Sequence, residues 1–277
     1  MSCLLVVAGL MFSSQTLAGQ SRAELKLAEA EILGDAGLIG EALESLAEAL
    51  RSDPMSLDGA RVAEIAQVDA QLFDDSPESQ EKVRELRGQA RDLLRMWLDR
   101  RGPESPVLMA YMAQLRWLEQ FDEGFAWLER VLRESPADAA LRRELLIHSG
   151  AARDVERAVE QAQWFLKSES TASELYLAGA ILFELASKGE KDREALARLA
   201  TELFKASFDR DPEYLDSAIF YSMSLKLQAD LTSDRTEAER LRSQSELAMQ
   251  RAKKIGDERR WLSTMRSWEI DIIQDGE

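Results

Sequence analysis

Few side chains in this sequence could do chemistry together. The 277-residue chain holds one histidine, His148 in "LLIHSG", and one cysteine, Cys3. A lone histidine with no G-x-S-x-G elbow supports no Ser-His-Asp triad. There is no P-loop, no G-x-G-x-x-G after a strand, and no His-Glu-x-x-His metal pattern. A single cysteine excludes an internal disulfide and a thiolate zinc site. The pair Asp74-Asp75 lacks the spacing of a calcium loop. Among 51 acidic residues no two stand out as an acid–base pair. These residues point to a protein that is not an enzyme and needs no cofactor or metal. His148 is expected at the surface or in a groove.

Charge narrows the partners. Thirty-five basic residues against 51 acidic ones give a net charge of −16. Such a field repels a phosphate backbone and disfavours an anionic lipid surface. A basic partner or plain solubility fits it better. The first twenty residues, "MSCLLVVAGLMFSSQTLAGQ", carry no charged side chain. The apolar run from Leu4 to Phe12 is too short for a spanning helix, which needs about 20 residues. It suits the core of a signal peptide, with cleavage after Ala18, although no Lys or Arg precedes Leu4. A buried first helix is the alternative.

The elements that would position any site are helices. In "FDEGFAWLERVLRESP" the residues Gly124, Leu128, Val131 and Pro136 sit at offsets 0, +4, +7 and +12. The first three share one helical face. The same offsets recur at Ala42, Leu46, Ala49 and Pro54, and at Ala200, Phe204, Ser207 and Pro212. Weaker copies start at Ala90, Ala158 and Ala248. The six anchors are spaced by 48, 34, 34, 42 and 48 residues. A small anchor lets two helices approach closely, and proline ends the second one. Ser21 with Glu24, and Thr171 with Glu174, have capping-box spacing. Ser76-Pro77 and Ser105-Pro106 read as further helix starts. No long stretch alternates like a strand.

Two consecutive intervals of 34 residues are the tetratricopeptide period. With the small anchor, the bulky +4 residue and the terminal proline, the chain resembles the tetratricopeptide repeat family from about Ser21 to Gly256. In "ASELYLAGAILFELA", Leu175, Gly179 and Leu182 match that family's first-helix positions, and Phe121 to Glu123 match the turn before the anchor. The resemblance implies an all-α fold, a right-handed α-solenoid of about six helix hairpins. One repeat cannot offset its own ordering entropy, so neighbours must share apolar faces. Residues 257–277 then read as a capping helix, with Trp261, Met265, Trp268 and Ile272 on one face. Extra residues near 76, 190 and 232 lengthen either the helices or the turns.

The resemblance also implies a concave groove lined by first-helix residues. In the third repeat these are Met109, Ala113, Arg116 and Trp117; in the fifth, Tyr176, Ala180, Phe183 and Glu184. In the fourth, with the register shifted by one, they are Arg142 and His148. Met, Trp, Tyr and Phe with a few Arg suit an extended peptide or a helix; packing between repeats is the other use for such aromatics. Met109 and Ala113 replace the Lys and Asn clamp of the chaperone-tail-binding branch, so that ligand is not expected. Trp97 is expected in the core and Trp164 half-buried.

The expectation is a signal peptide (1–20), a solenoid (21–256) and a cap (257–277). Together they describe a periplasmic or secreted scaffold of a bacterial cell envelope that binds another protein, without nucleic acid and without stable membrane insertion. An accessory or small-ligand-binding solenoid, and a cytoplasmic regulator, are the alternatives.

Overall fold

The computed structural model describes residues 21–68, 73, 76–103 and 105–274, with side chains as far as Glu258. Among the described residues the regular elements are all helical. In chain order they are α1 (Arg22–Asp35), α2 (Ile39–Ser52), α3 (Gly59–Ile65), α4 (Pro77–Arg101), α5 (Ser105–Trp117) and α6 (Phe121–Glu134). Then come α7 (Ala139–Ala152), α8 (Val155–Lys167), α9 (Ala172–Ser187), α10 (Arg193–Arg210), α11 (Leu215–Leu231) and α12 (Arg235–Gln274). A 3-10 turn, Pro54–Ser56, follows α2. The signal-peptide region lies outside the described residues.

The helix starts follow their sequence signals. Ser21 and Thr171 each close a full capping box, with Glu24 and Glu174 respectively. The Ser76 hydroxyl accepts from Ser79 N–H and Pro77 takes the first helical position. α5 opens at Ser105 with Pro106 in its first turn.

The repeat is written in the backbone as well. α1, α5, α7 and α9 are each followed, within two residues, by a residue of positive φ: Gly37, Glu119, Arg153 and Gly189. Just beyond each, an N–H donates to the carbonyl five residues earlier: Leu38 to Leu33, Gln120 to Leu115, Asp154 to Ser149 and Glu190 to Leu185, at 2.8–3.3 Å. This is the Schellman closure, which satisfies the last carbonyls of a helix and turns the chain back within a few residues.

The chain divides into two compact units, up to Trp127 and from Leu128. In the first, α1 packs on α2, α2 on α3 and α4, α4 on α5, and α3 on α5. In the second, α7 packs on α8 and α9, α8 on α9 and α10, α9 on α10 and α11, and α11 on α10 and α12. Each unit is thus an all-α stack in which a helix meets its neighbour and its neighbour's neighbour, the local packing of a solenoid.

All six anchors, Ala42, Ala90, Gly124, Ala158, Ala200 and Ala248, are buried. So are the +4 residues Leu46, Leu94, Leu128, Ala162, Phe204 and Ala252. At +7, Ala49, Trp97, Val131, Phe165 and Ser207 are buried and Ile255 is half-buried. Four helices, α7 to α10, share one core around Leu146, Phe165, Leu182 and Phe204. The α11–α12 pair has a separate, smaller core of Leu225, Ala229, Leu241 and Ala248.

Three details depart from the sequence reading. Phe121, Asp122 and Glu123 form the first turn of α6 and not a loop before it, because Glu119 already makes the turn. Gly256 is no boundary: α12 runs through it to Gln274. The long intervals at 190 and 232 are taken up by longer helices, since α9 to α11 have 16, 18 and 17 residues. The expected apolar face of Trp261, Met265, Trp268 and Ile272 lies outside the described side chains.

Candidate functional site

The first helices of successive hairpins leave two clefts between them, one in each unit. In the first unit, α3 and α5 bound an open cleft of about 530 Å³. Met109 and Ala113 of α5 line it, opposite Ala60 and Ala63 of α3; Glu64 is the one charged side chain among its described lining residues. Small residues on both walls keep the floor smooth and let an incoming group approach the helix backbones.

In the second unit, α7 and α9 bound a cleft of about 500 Å³. Ile147 and Gly150 face Leu177 and Ile181, and Glu184, Lys188 and Arg153 stand at its rim. Glu184 is held by Lys188 at 2.6 Å, one helical turn on. The two helices approach closely at Gly150: a β carbon there would stand 2.7 Å from Ile181 Cγ2. Of the residues expected in the groove, Met109, Ala113 and Glu184 line these clefts. Ile147, Leu177 and Ile181 do so too and were missed, because their aliphatic side chains read as ordinary core in a helical pattern.

Tyr176 and Phe183 have a different use. Tyr176 lies 5.8 Å from Phe204, 5.3 Å from Tyr214 and 5.5 Å from Phe220, ring centre to ring centre. Phe183 meets Phe220 at 5.9 Å and Phe204 at 6.5 Å, both edge to face. The two half-buried rings therefore belong to an aromatic cluster joining α9, α10 and α11. Burial, with Asp216 and Tyr214 adding to it, raises the Tyr176 phenol pKa above its usual value.

The two assignments from the fourth repeat do not stand as surface groups. His148 is fully buried in α7, which removes it from any groove wall. Arg142 is half-buried and engaged within its own hairpin. It donates to Gln161 Oε1 at 2.8 Å and to the Pro136 carbonyl at 2.9 Å, and its guanidinium lies 5.0 Å over the Trp164 ring. Trp164 is half-buried, and Trp97 fully buried, as their helical positions imply.

Arg116 is half-buried, and burial pulls its guanidinium below its usual pKa range. Trp117 is 57% exposed and roofs a buried arginine, with Arg87 3.9 Å from its ring centre. Arg87 donates to the Val68 carbonyl at 2.9 Å and to Gln114 Oε1 at 3.4 Å, and Gln114 donates to the Ala66 carbonyl at 3.1 Å. This buried polar cluster ties the segment after α3 to α4 and α5. Trp127 is buried edge-on against Tyr111 at 5.9 Å.

Among the described residues no cluster of three or more His, Cys, Asp or Glu could hold a metal ion. No helix among them is long and apolar enough to cross a membrane. No protein-family model matches the chain and no curated protein matches it, so the resemblance to tetratricopeptide repeats rests on the residues quoted above.

Proposed function

We propose that this chain is a non-catalytic, tetratricopeptide-like interaction scaffold, exported to the bacterial cell envelope, that binds a peptide or helix of another protein along its first helices. The observation that carries the reading is the pair of open apolar clefts between successive first helices, α3/α5 and α7/α9. Both have aliphatic or small walls, and in the second the charges of Arg153, Glu184 and Lys188 flank the apolar residues, so a partner's apolar side chains can be buried between polar groups that pair at the edge.

Site-specific photo-crosslinking in cells tests this. A benzoylphenylalanine at Met109, Leu177 or Ile181 is expected to trap one discrete partner. The same group at Glu44 or Arg198, exposed on second helices, is expected to trap none. Equal labelling from both sets, or no adduct from the first set, contradicts the reading. Export is checked separately by sequencing the mature N-terminus, expected near Gly19.

A further inference from the structure

A third cleft lies on the other side of the second unit. α10 and α12 form its walls and α11 its floor, and its volume is about 510 Å³, within the roughly 300–1,000 Å³ typical of binding pockets. Phe208 of α10, Tyr221 of α11 and Leu247 of α12 supply its apolar surface. Leu247 is 59% exposed, the most exposed leucine among the described residues. An isobutyl group left in water at a concave site is surface that a partner recovers on binding.

The charges around this cleft run against the rest of the molecule. Among the described residues Arg251 and Lys254 line it, and no carboxylate does. The neighbouring cleft between α8 and α10, about 730 Å³, has Glu156, Asp192 and Glu202 beside Lys191 and Arg198. In a chain of net charge −16, the described lining of this apolar cleft thus carries only cations. Nearer the start of α12 three arginines are matched: Arg235 with Glu239 at 3.4 Å, Arg240 with Glu237 at 2.5 Å and Arg242 with Asp230 at 3.3 Å. Arg251 has no ion pair among the described residues, and Lys254 reaches only Glu258, at 3.7 Å.

The shape of the partner follows from the spacing. Gln244, Leu247, Arg251 and Lys254 follow one another by three, four and three residues, a single stripe along α12. A helix laid in the groove between α10 and α12 meets all four, whereas a compact small molecule meets one end. We propose that this cleft receives an amphipathic acidic helix of another protein, its apolar residues packing on Leu247 and Phe208 and its carboxylates pairing with Arg251 and Lys254. The site is independent of the first-helix clefts and stands or falls without them.

The test is selection of phage-displayed random peptides of about 16 residues, roughly four helical turns, on the full chain. Enriched peptides are expected to carry Asp or Glu three or four positions from Leu, Phe or Met. Their binding is expected to fall by about tenfold or more in Leu247→Glu and in Arg251→Glu, and to weaken with salt. Arg251→Lys is expected to keep most of it. Both substituted side chains are exposed, so far-ultraviolet circular dichroism should match wild type; Leu247→Ala serves if Leu247→Glu does not fold. Absence of enrichment, peptides that bind both variants like wild type, a basic consensus, or Leu247-dependent self-association would each overturn the proposal.

Discussion

A β carbon on Gly179 would stand 2.8 Å from Cε1 of Phe204, so the ring of α10 occupies the space that any side chain on α9 would need. The two residues hold the small first-helix position and the bulky +4 position of one hairpin. Phe204 is fully buried and touches Tyr176, Phe183 and Phe220, so it has nowhere to retreat.

Gly179→Ala is therefore expected to destabilise the chain even though alanine favours a helix. Overpacking costs about 1–3 kcal/mol, against about 1 kcal/mol gained in helix propensity. In a Phe204→Leu background the same substitution is expected to lose its penalty. A double-mutant cycle by urea unfolding measures the coupling; additive effects would mean that the two residues do not share this space.

The closing turns allow a stabilising prediction. Glu119 takes a φ of 56°, in the left-handed region that Gly37 and Gly189 occupy without strain at 76° and 84°. Glu119→Gly is expected to stabilise the α5–α6 turn by up to about 1 kcal/mol, and Glu119→Val to destabilise it, because a left-handed conformation costs a side-chain residue roughly 1–2 kcal/mol. Thermal unfolding of the three proteins side by side checks the order.

The buried Arg87 cluster should be stability-critical. Arg87→Ala removes charge-assisted bonds worth about 1.5–3 kcal/mol and leaves the Val68 carbonyl and Gln114 to find new partners. Trp117→Ala removes only the roof, at about 1 kcal/mol. Urea midpoints should fall in that order. Equal, negligible shifts would remove the cluster from the account of the first unit.

Alkaline pH should report on Tyr111. Its hydroxyl donates to Glu123 Oε1 at 2.7 Å, and Arg95 donates to the same oxygen at 2.8 Å. Burial first, and Glu123 second, raise the phenol pKa in the folded chain. Above pH ~10 the unfolded chain loses this proton and the folded chain keeps it. Stability from Tyr111 is thus complete below pH ~10 and falls above it, by at most about 1.4 kcal/mol per pH unit. Tyr176 and Tyr214 shift the same way, so the comparison is with Tyr111→Phe, which is expected to show a shallower decline between pH 9 and 11.

Much of the fold was legible because it rests on local spacing. The anchors at Ala42, Ala90, Gly124, Ala158, Ala200 and Ala248 are buried because one helical face must meet a neighbour closely, and that face is set by 3.6 residues per turn. The caps at Ser21 and Thr171 were legible for the same reason. The site was less so. Tyr176 and Phe183 sit where a groove residue would, yet the rings of Tyr214 and Phe220 on the next hairpin enclose them, and no local pattern announces that approach. His148 lies one residue before Ser149, whose hydroxyl bonds back to Leu145 inside the same buried face; a one-residue shift in register decides between groove and core. Gly256 reads as a stop but is carried through by the helix on either side.

The central claim is that each hairpin is held by its immediate neighbours through small-residue contacts. Native-state amide hydrogen exchange of Ala200→Leu tests it most directly. Ala200 is fully buried in α10, and α10 packs on α8, α9 and α11. Exchange is expected to accelerate in those four helices and to remain at wild-type rates in α1 to α3. Uniform acceleration through the whole chain, or no change in α9 and α11, would contradict a stack of neighbour-dependent hairpins.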